Sequence, residues 1–405
     1  MNEVAGKNNN NGNPIEVFFA FLKLGLSSFG GPVAHLGYFR KELIQRRGWL
    51  SDNQFGQLLA ICQFLPGPAS SQLGFCLGLL RGGWLGALLA FLAFTLPSAM
   101  VLIAFSAALP MLSDPVGVAV IHGLKLVACA VVADAVLGMA KTLCPDVPRR
   151  VIAVLALAAL LVVSSTVVQL LVVVCAALAG MLFFRNISAP DDTHKIPIAY
   201  GRGVGLLCIV VFAALLIGLP ILATAKPDVP SVASAFYQAG ALVFGGGHVV
   251  LPLLQDSIVA PGWVSPEQFL AGYGASQAIP GPLFAFSAFL GSVIAGEQSA
   301  WLMAAVALGF MFLPGFLLIL GVLPFWSAVS HNPLASRAIA GVNAAVVGLL
   351  AAALYNPVFT SGISGWGDLV IAAVGFGLLA LWRLSPLVVV VWCVLAKVVL
   401  SMLMA

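Results

Sequence analysis

The stretch "GWLSDNQFGQLLAICQFLPGP" fills residues 48–68, and "GWVSPEQFLAGYGASQAIPGP" fills residues 262–282. Nine of the 21 positions are identical: Gly, Trp, Ser, Gln, Phe, Gln and the whole Pro-Gly-Pro. A fixed-period self-match of this kind marks an internal repeat and precedes any reading of single elements. It extends outward. "FLKLGLSSFGG" (21–31) aligns with "FYQAGALVFGGG" (236–247), Pro97 with Pro314, Gly123 with Gly341, and "VIAVLALAAL" (151–160) with "VIAAVGFGLL" (370–379). The chain therefore reads as two homologous halves, 15–185 and 231–405. A polar, asparagine-rich tail, 1–14, precedes them, with no legible signal peptide and the composition of a disordered cytoplasmic segment. Residues 186–230 read as a cytoplasmic loop and one connector transmembrane helix near 204–223.

Composition sets the solvent. Of 405 residues, 61% are hydrophobic and 8% charged, against roughly 25% charged in a soluble domain, and the mean hydropathy is +1.09. Runs such as "WLGALLAFLAFTLPSAMVLIAF" (84–105) reach the ~20 residues that cross a bilayer core. Strands alternating between lipid and lumen, the mark of a membrane barrel, are not seen. The expected fold is an all-α polytopic membrane protein. Its two halves are inverted, each with broken or re-entrant helices at FGG and PGP and about four full spans.

Inversion follows from charge. Cationic loops favour the cytoplasmic side. Arg40, Lys41, Arg46 and Arg47 lie between the two breaks of the first half, where the second half carries Asp256 and Glu267 and no Lys or Arg. Arg81 matches the region of Glu297, Arg149 and Arg150 match Asp368, and Arg383 matches the neutral turn 164–166. The sign reverses at nearly every matched loop. The resulting map puts the N-terminus inside, and among loop Lys and Arg only Lys226 falls outside. It also requires the FGG and PGP segments to enter and leave on one side, as hairpins rather than kinked full spans.

Proline removes a backbone donor and ends a helix, and freed backbone is tolerated at membrane depth only inside protein or beside a wet cavity. The half-helix that restarts after a break points its N-terminal N–H groups, and their partial positive charge, at the interior. Prolines and glycines are also ordinary packing kinks in membrane helices, but four breaks paired by the repeat point to a binding site between the halves. Candidate substrate residues around the breaks are Ser27, Ser28, Gly30, Gly31, Gln63, Gly67, Ser70 and Ser71 in the first half. In the second they are Gly245, Gly246, His248, Gln277 and Gly281. Each serine has the simpler reading of a helix–helix hydrogen bond.

Charges inside spans are costly and functional by default. Lys23, Lys125, Asp134 and Lys397 read as such. Lys23 and Lys125 are substrate candidates whose repeat mates, Gln238 and Asn343, are neutral and polar, and Asn343 joins the candidate site. Asp134 is a counter-ion or coupling candidate, and Lys397 lies close enough to a span end to snorkel. The five histidines, at 35, 122, 194, 248 and 331, are dispersed, and the seven cysteines form no CxxC pair. The residues thus call for no metal, no cofactor, no nucleic acid and no catalytic cluster.

On "FLKLGLSSFGGPVAHLGYF" (21–39), "GWLSDNQFGQLLAICQFLPGP" (48–68), "VFGGGHVVLPLL" (243–254) and "QAIPGPLF" (277–284), the chain resembles the chromate ion transporter family in its long-chain bacterial form. The resemblance covers both halves. It implies export of chromate across the cytoplasmic (inner) membrane, chromate resistance, sulfate as a competing oxyanion, and origin by duplication of a shorter protein. Monomer and homodimer both fit. The residues themselves do not separate chromate from sulfate, and another small-anion transporter or exchanger of this architecture is the alternative. Energetics favour export. One charge crossing 100 mV is worth about 2.3 kcal/mol, so a dianion leaving a negative-inside cell gains about twice that.

Overall fold

The computed structural model describes residues 12–29, 31–163, 166–184, 198, 200–244, 247–326 and 332–404, and every regular element among them is helical. The first half contains α1 (Pro14–Ser27), α2 (Gly31–Phe39, running into a π-helical turn at Arg40–Arg46), α3 (Asp52–Phe64), α4 (Ala69–Ala108), α5 (Pro115–Leu143), α6 (Val147–Val162) and α7 (Thr166–Phe183). The connector is α8 (Arg202–Leu222). The second half repeats the series: α9 (Val229–Leu242), α10 (Val250–Leu254, followed by a π-helical turn at Gln255–Val259), α11 (Pro266–Ser276), α12 (Phe286–Ile294), α13 (Ala300–Val322), α14 (Pro333–Ala353), α15 (Trp366–Ala380) and α16 (Pro386–Met404).

The repeat reaches down to local chemistry. α3 and α11 start with the same capping box: Ser51 with Gln54, and Ser265 with Gln268, each serine accepting from the glutamine N–H while the glutamine side chain returns to the serine N–H. Each box satisfies two orphan helix donors. α4 is broken at Gly82–Gly83, where φ of Gly83 is +63°. The second half breaks at the matching place, between α12 and α13, with Gly296 at φ +54°. α1 and α3 have 14 and 13 residues, about 20 Å each at 1.5 Å per residue, well short of a ~30 Å hydrocarbon core. Six stretches among the described residues are long and apolar enough to cross a membrane: 69–111, 115–143, 202–222, 300–325, 333–362 and 386–403. α6 and α15, expected as full spans, have only 16 and 15 residues.

The halves interlock. α1 packs on α4, and its counterpart α9 packs on α13. A Cβ on Gly25 would sit 2.7 Å from the Phe94 carbonyl, and one on Gly240 would collide with the Met311 carbonyl, so both contacts need a bare backbone. The later helices cross over: α5 packs against α15 and α16 of the other half, and α14 packs against α6 and α7. Such reciprocity is the signature of a two-fold relation.

Two of the span charges are ion-paired rather than lone. Lys23 is not a buried cation: its side chain is 54% exposed and its Nζ lies 3.0 Å from Glu42 Oε2. Glu42 also accepts from Arg46 at 3.1 Å and Arg47 at 3.0 Å. Burial raises the Glu42 carboxyl, but these hydrogen bonds outweigh it and hold the group at about 2. Lys397 does not snorkel. It lies 2.6 Å from Asp368 Oδ1, while His122 Nε2 lies 3.0 Å from Oδ2.

Candidate site at the interlocked helix breaks

The four breaks meet in two crossed pairs. The Gly67 N–H at the first PGP donates to the Val243 carbonyl at the second FGG, at 2.7 Å. The Gly281 N–H at the second PGP donates to the Ser28 carbonyl at the first FGG, at 2.9 Å. Gly67 and Gly281 are repeat mates, as are Ser28 and Val243, so one hydrogen bond is the two-fold image of the other. Both glycines have left-handed φ, +123° and +105°. A Cβ on Gly67 would sit 2.8 Å from Gln72 Nε2 and 3.0 Å from Gly315 Cα, and one on Gly281 would collide with the Ser98 hydroxyl.

The prolines before these glycines expose carbonyls, and both are satisfied. Gln72 Nε2 donates to the Pro66 carbonyl at 3.0 Å and to the Gly315 carbonyl at 2.9 Å, and Ser98 Oγ donates to the Pro280 carbonyl at 2.6 Å. Ser98 and Gly315 are again repeat mates, each one residue past a matched proline. Gln72 lies ten residues before the Gly82 break and Ser98 fifteen after Gly83, roughly 15 and 22 Å along two arms folded back from one point. α4 starts at Ala69 immediately after the first PGP, and α2 starts at Gly31, φ +77°, immediately after the first FGG, so both present N-terminal N–H groups here.

The first half also carries buried polar atoms with no hydrogen bond: Ser28 Oγ and both ring nitrogens of His35 beside the first FGG, and Ser71 Oγ and Thr95 Oγ1 on the two arms of α4. All four residues are at least nine-tenths buried. The Ser28 backbone lies against the His35 ring at a geometry short of a hydrogen bond. His35 packs edge-on to Phe94 at 5.4 Å, and Phe39, one turn further along α2, packs on Phe94 at 5.2 Å. Ser71 shares a face of α4 with Gly74, whose Cβ would touch Phe21 and Phe39. The end of α1, α2 and the two arms of α4 thus carry neutral donors next to or near Phe21, Phe39 and Phe94, at a cost of about 1–3 kcal/mol for each buried unpaired group. Their repeat mates are Val243, Val250, Ala285 and Phe312. The polarity belongs to the first half alone; the second half fills the equivalent place with side chains that need no partner.

Several expected residues lie elsewhere. Gln63 and Ser27 are exposed, and the Ser27 hydroxyl donates to the Lys23 carbonyl at 2.7 Å. Gln277 reaches only its own turn, at Tyr273 and Ser276. His248 is engaged, its Nδ1 2.6 Å from the Tyr273 hydroxyl. Ser70 is buried on the first turn of α4. Gly30, Gly245 and Gly246 lie outside the described residues. Lys125 is 8% exposed, and among the described residues no carboxylate pairs with it. Its mate Asn343 has an unpartnered Oδ1. The preceding residue, Leu124, presents its carbonyl to Gly274 of α11, two turns before the second PGP. Asp134, nine residues on, lies about 14 Å further along α5, too far to neutralise Lys125. His35, Gln72, Thr95, Ser98 and Gly315 were not among the expected site residues. Comparing repeat mates for polarity, not only for identity, would have found His35 and Thr95.

Two halves with discontinuous helices that meet tip to tip around buried donors define a multi-pass membrane protein with the architecture of an inverted-repeat transporter. The chain belongs to the chromate transporter family, whose model matches residues 15–181 and 230–398. It is 30% identical over 398 residues, 92% of each chain, to a probable chromate transport protein of Synechococcus elongatus. It is 30% identical to a chromate transport protein of Pseudomonas aeruginosa, over 93% of this chain and 89% of the relative. A chromate transport protein of Cupriavidus metallidurans is 27% identical over 82% of this chain and 80% of its own. No solved structure matches the chain.

Proposed function

We propose that this protein exports chromate from the cytoplasm across the inner membrane, with its N-terminus inside, and that the dianion binds where the first FGG meets the second PGP. The observation that carries this is the group of unpartnered donors at Ser28, His35, Ser71 and Thr95, together with the N-termini of α2 and α4. A tetrahedral oxyanion supplies four acceptors and no donors. Hydroxyls, a neutral imidazole N–H and helix N-termini are the complementary set. Lys125 supplies net positive charge at longer range. These atoms are shut off from solvent, so substrate enters only when the crossed tips part. Parting breaks one hydrogen bond on each side of the two-fold.

Chromate uptake into everted vesicles tests the reading. A combined Ser28→Ala, Ser71→Ala, Thr95→Val variant should lose most uptake at normal membrane abundance, and Lys125→Gln should raise the apparent KM. Sulfate in excess should compete with chromate. Wild-type KM and rate in both variants would remove the site from this location.

A further inference from the structure

Away from the crossed tips, α6, α7, the π-helical turn after α10, and the end of α14 line a partly open cavity of about 70 Å³. Its polar lining is Gln169, Gln255, Asp256, Tyr355 and Asn356. Asp256 accepts a hydrogen bond from Gln169 Nε2 at 2.6 Å. Among the described residues no Lys, Arg or His pairs with this carboxylate. Gln169 is 7% exposed, and its Oε1, the other end of the same amide, is buried with no partner. Nine-tenths buried, it lines the cavity with a bare acceptor.

The backbone beside the cavity changes register. α14 gives way to a π-helical stretch at Leu354–Phe359, with Asn356 at φ −129°, ψ 116°. Pro357 has no N–H to offer the Ala353 carbonyl four residues earlier, so the register shifts to the i→i+5 bonds of a π-turn beside the cavity wall. The lining is thus rich in oxygen acceptors, including one carboxylate, with an unwound helix segment alongside. A half-buried carboxylate without a paired cation favours neutralisation or coordination, and a carboxylate beside an interrupted helix is the kind of place where membrane transporters hold monovalent cations.

We infer that this cavity is a Na⁺ site formed by Asp256, Gln169 Oε1 and the broken end of α14. Oxygen-only ligation selects a hard cation, and a single carboxylate balances one positive charge. The site occurs once. The repeat mate of Asp256 is Lys41, and that of Asn356 is Gly138, so the first half offers neither the carboxylate nor the amide.

Binding is testable without chromate, so its failure is separate from failure of the transport reading. ²²Na⁺ binding to the purified full-length protein in nanodiscs should saturate at about one ion per chain. Asp256→Asn should abolish it, and Gln169→Met, which keeps the carboxylate, should weaken it at least tenfold. At constant ionic strength, replacing choline chloride with NaCl should raise the wild-type Tm by a few degrees and leave Asp256→Asn unmoved. Sodium binding equal in wild type and Asp256→Asn overturns the site. A Tm that follows pH but is identical in Na⁺ and choline means the cavity takes only a proton, and overturns it equally. If Asp256→Asn elutes as aggregate, Gln169→Met with unchanged ²²Na⁺ affinity overturns it alone.

Discussion

Gly67→Ala probes the crossed tips most directly. Three costs follow from the structure. At φ +123° a residue with a Cβ is strained by about 1–3 kcal/mol. The new methyl lies 2.8 Å from Gln72 Nε2 and 3.0 Å from Gly315 Cα. The Gln72 amide is displaced, and two hydrogen bonds, to the Pro66 and Gly315 carbonyls, are lost at about 1 kcal/mol each. The total is about 3–5 kcal/mol, or roughly two to four decades in the population of the closed tip. The native backbone conformation could survive only by moving α13 away. Chromate uptake into everted vesicles, normalised to membrane abundance, should therefore fall at least a hundredfold, while the protein still inserts, because no span is touched. Gly37→Ala is the control: Gly37 is a helical position with nothing within 4 Å of its Cβ, and the change should leave uptake unaltered and add up to about 1 kcal/mol of stability. Wild-type uptake and Tm in Gly67→Ala would refute the claim that the tip depends on a bare left-handed backbone.

Three further outcomes are expected. Glu42→Gln should lower the Tm in detergent, because it strips Lys23, Arg46 and Arg47 of their shared carboxylate. Since the Glu42 carboxyl is depressed from 4.5 to about 2, its contribution is complete above about 4.5 and lost as pH falls toward 2, so the wild-type and variant Tm values should converge over that window. Asp368→Asn leaves Lys397 without its buried counter-charge and puts an amide N–H against His122 or Lys397, and should cost about 3–5 kcal/mol, much of it recovered in Asp368→Leu with Lys397→Met. Single cysteines placed beside Arg46 and beside Glu267, in a Cys-depleted background, should label from opposite sides of the membrane, and labelling of both from one side would end the inverted topology.

The sequence by itself determined the class and the symmetry. Apolar runs of membrane length require helices, because lipid offers no partner for open backbone. A repeat with paired PGP breaks requires two similar halves, whatever the packing. The glycines of the breaks were legible for the same local reason: only glycine adopts the φ found at Gly67 and Gly281 without strain. Partnership was not legible. Lys23 and Glu42 are 19 residues apart and Lys397 and Asp368 are 29 apart, so whether each lysine is a lone intramembrane cation or half of an ion pair depends on how helices fold back on one another. The donor group has the same character. Ser28, His35, Ser71 and Thr95 belong to the end of α1, to α2 and to the two arms of α4, and nothing in their spacing says that all four are buried without a partner. Only the tertiary structure decided that the first PGP pairs with the second FGG, and the second PGP with the first FGG. That choice is made by close approach across a two-fold, Gly67 to Gly315 and Gly281 to Ser98, and such approach is a property of packed surfaces rather than of any stretch of chain.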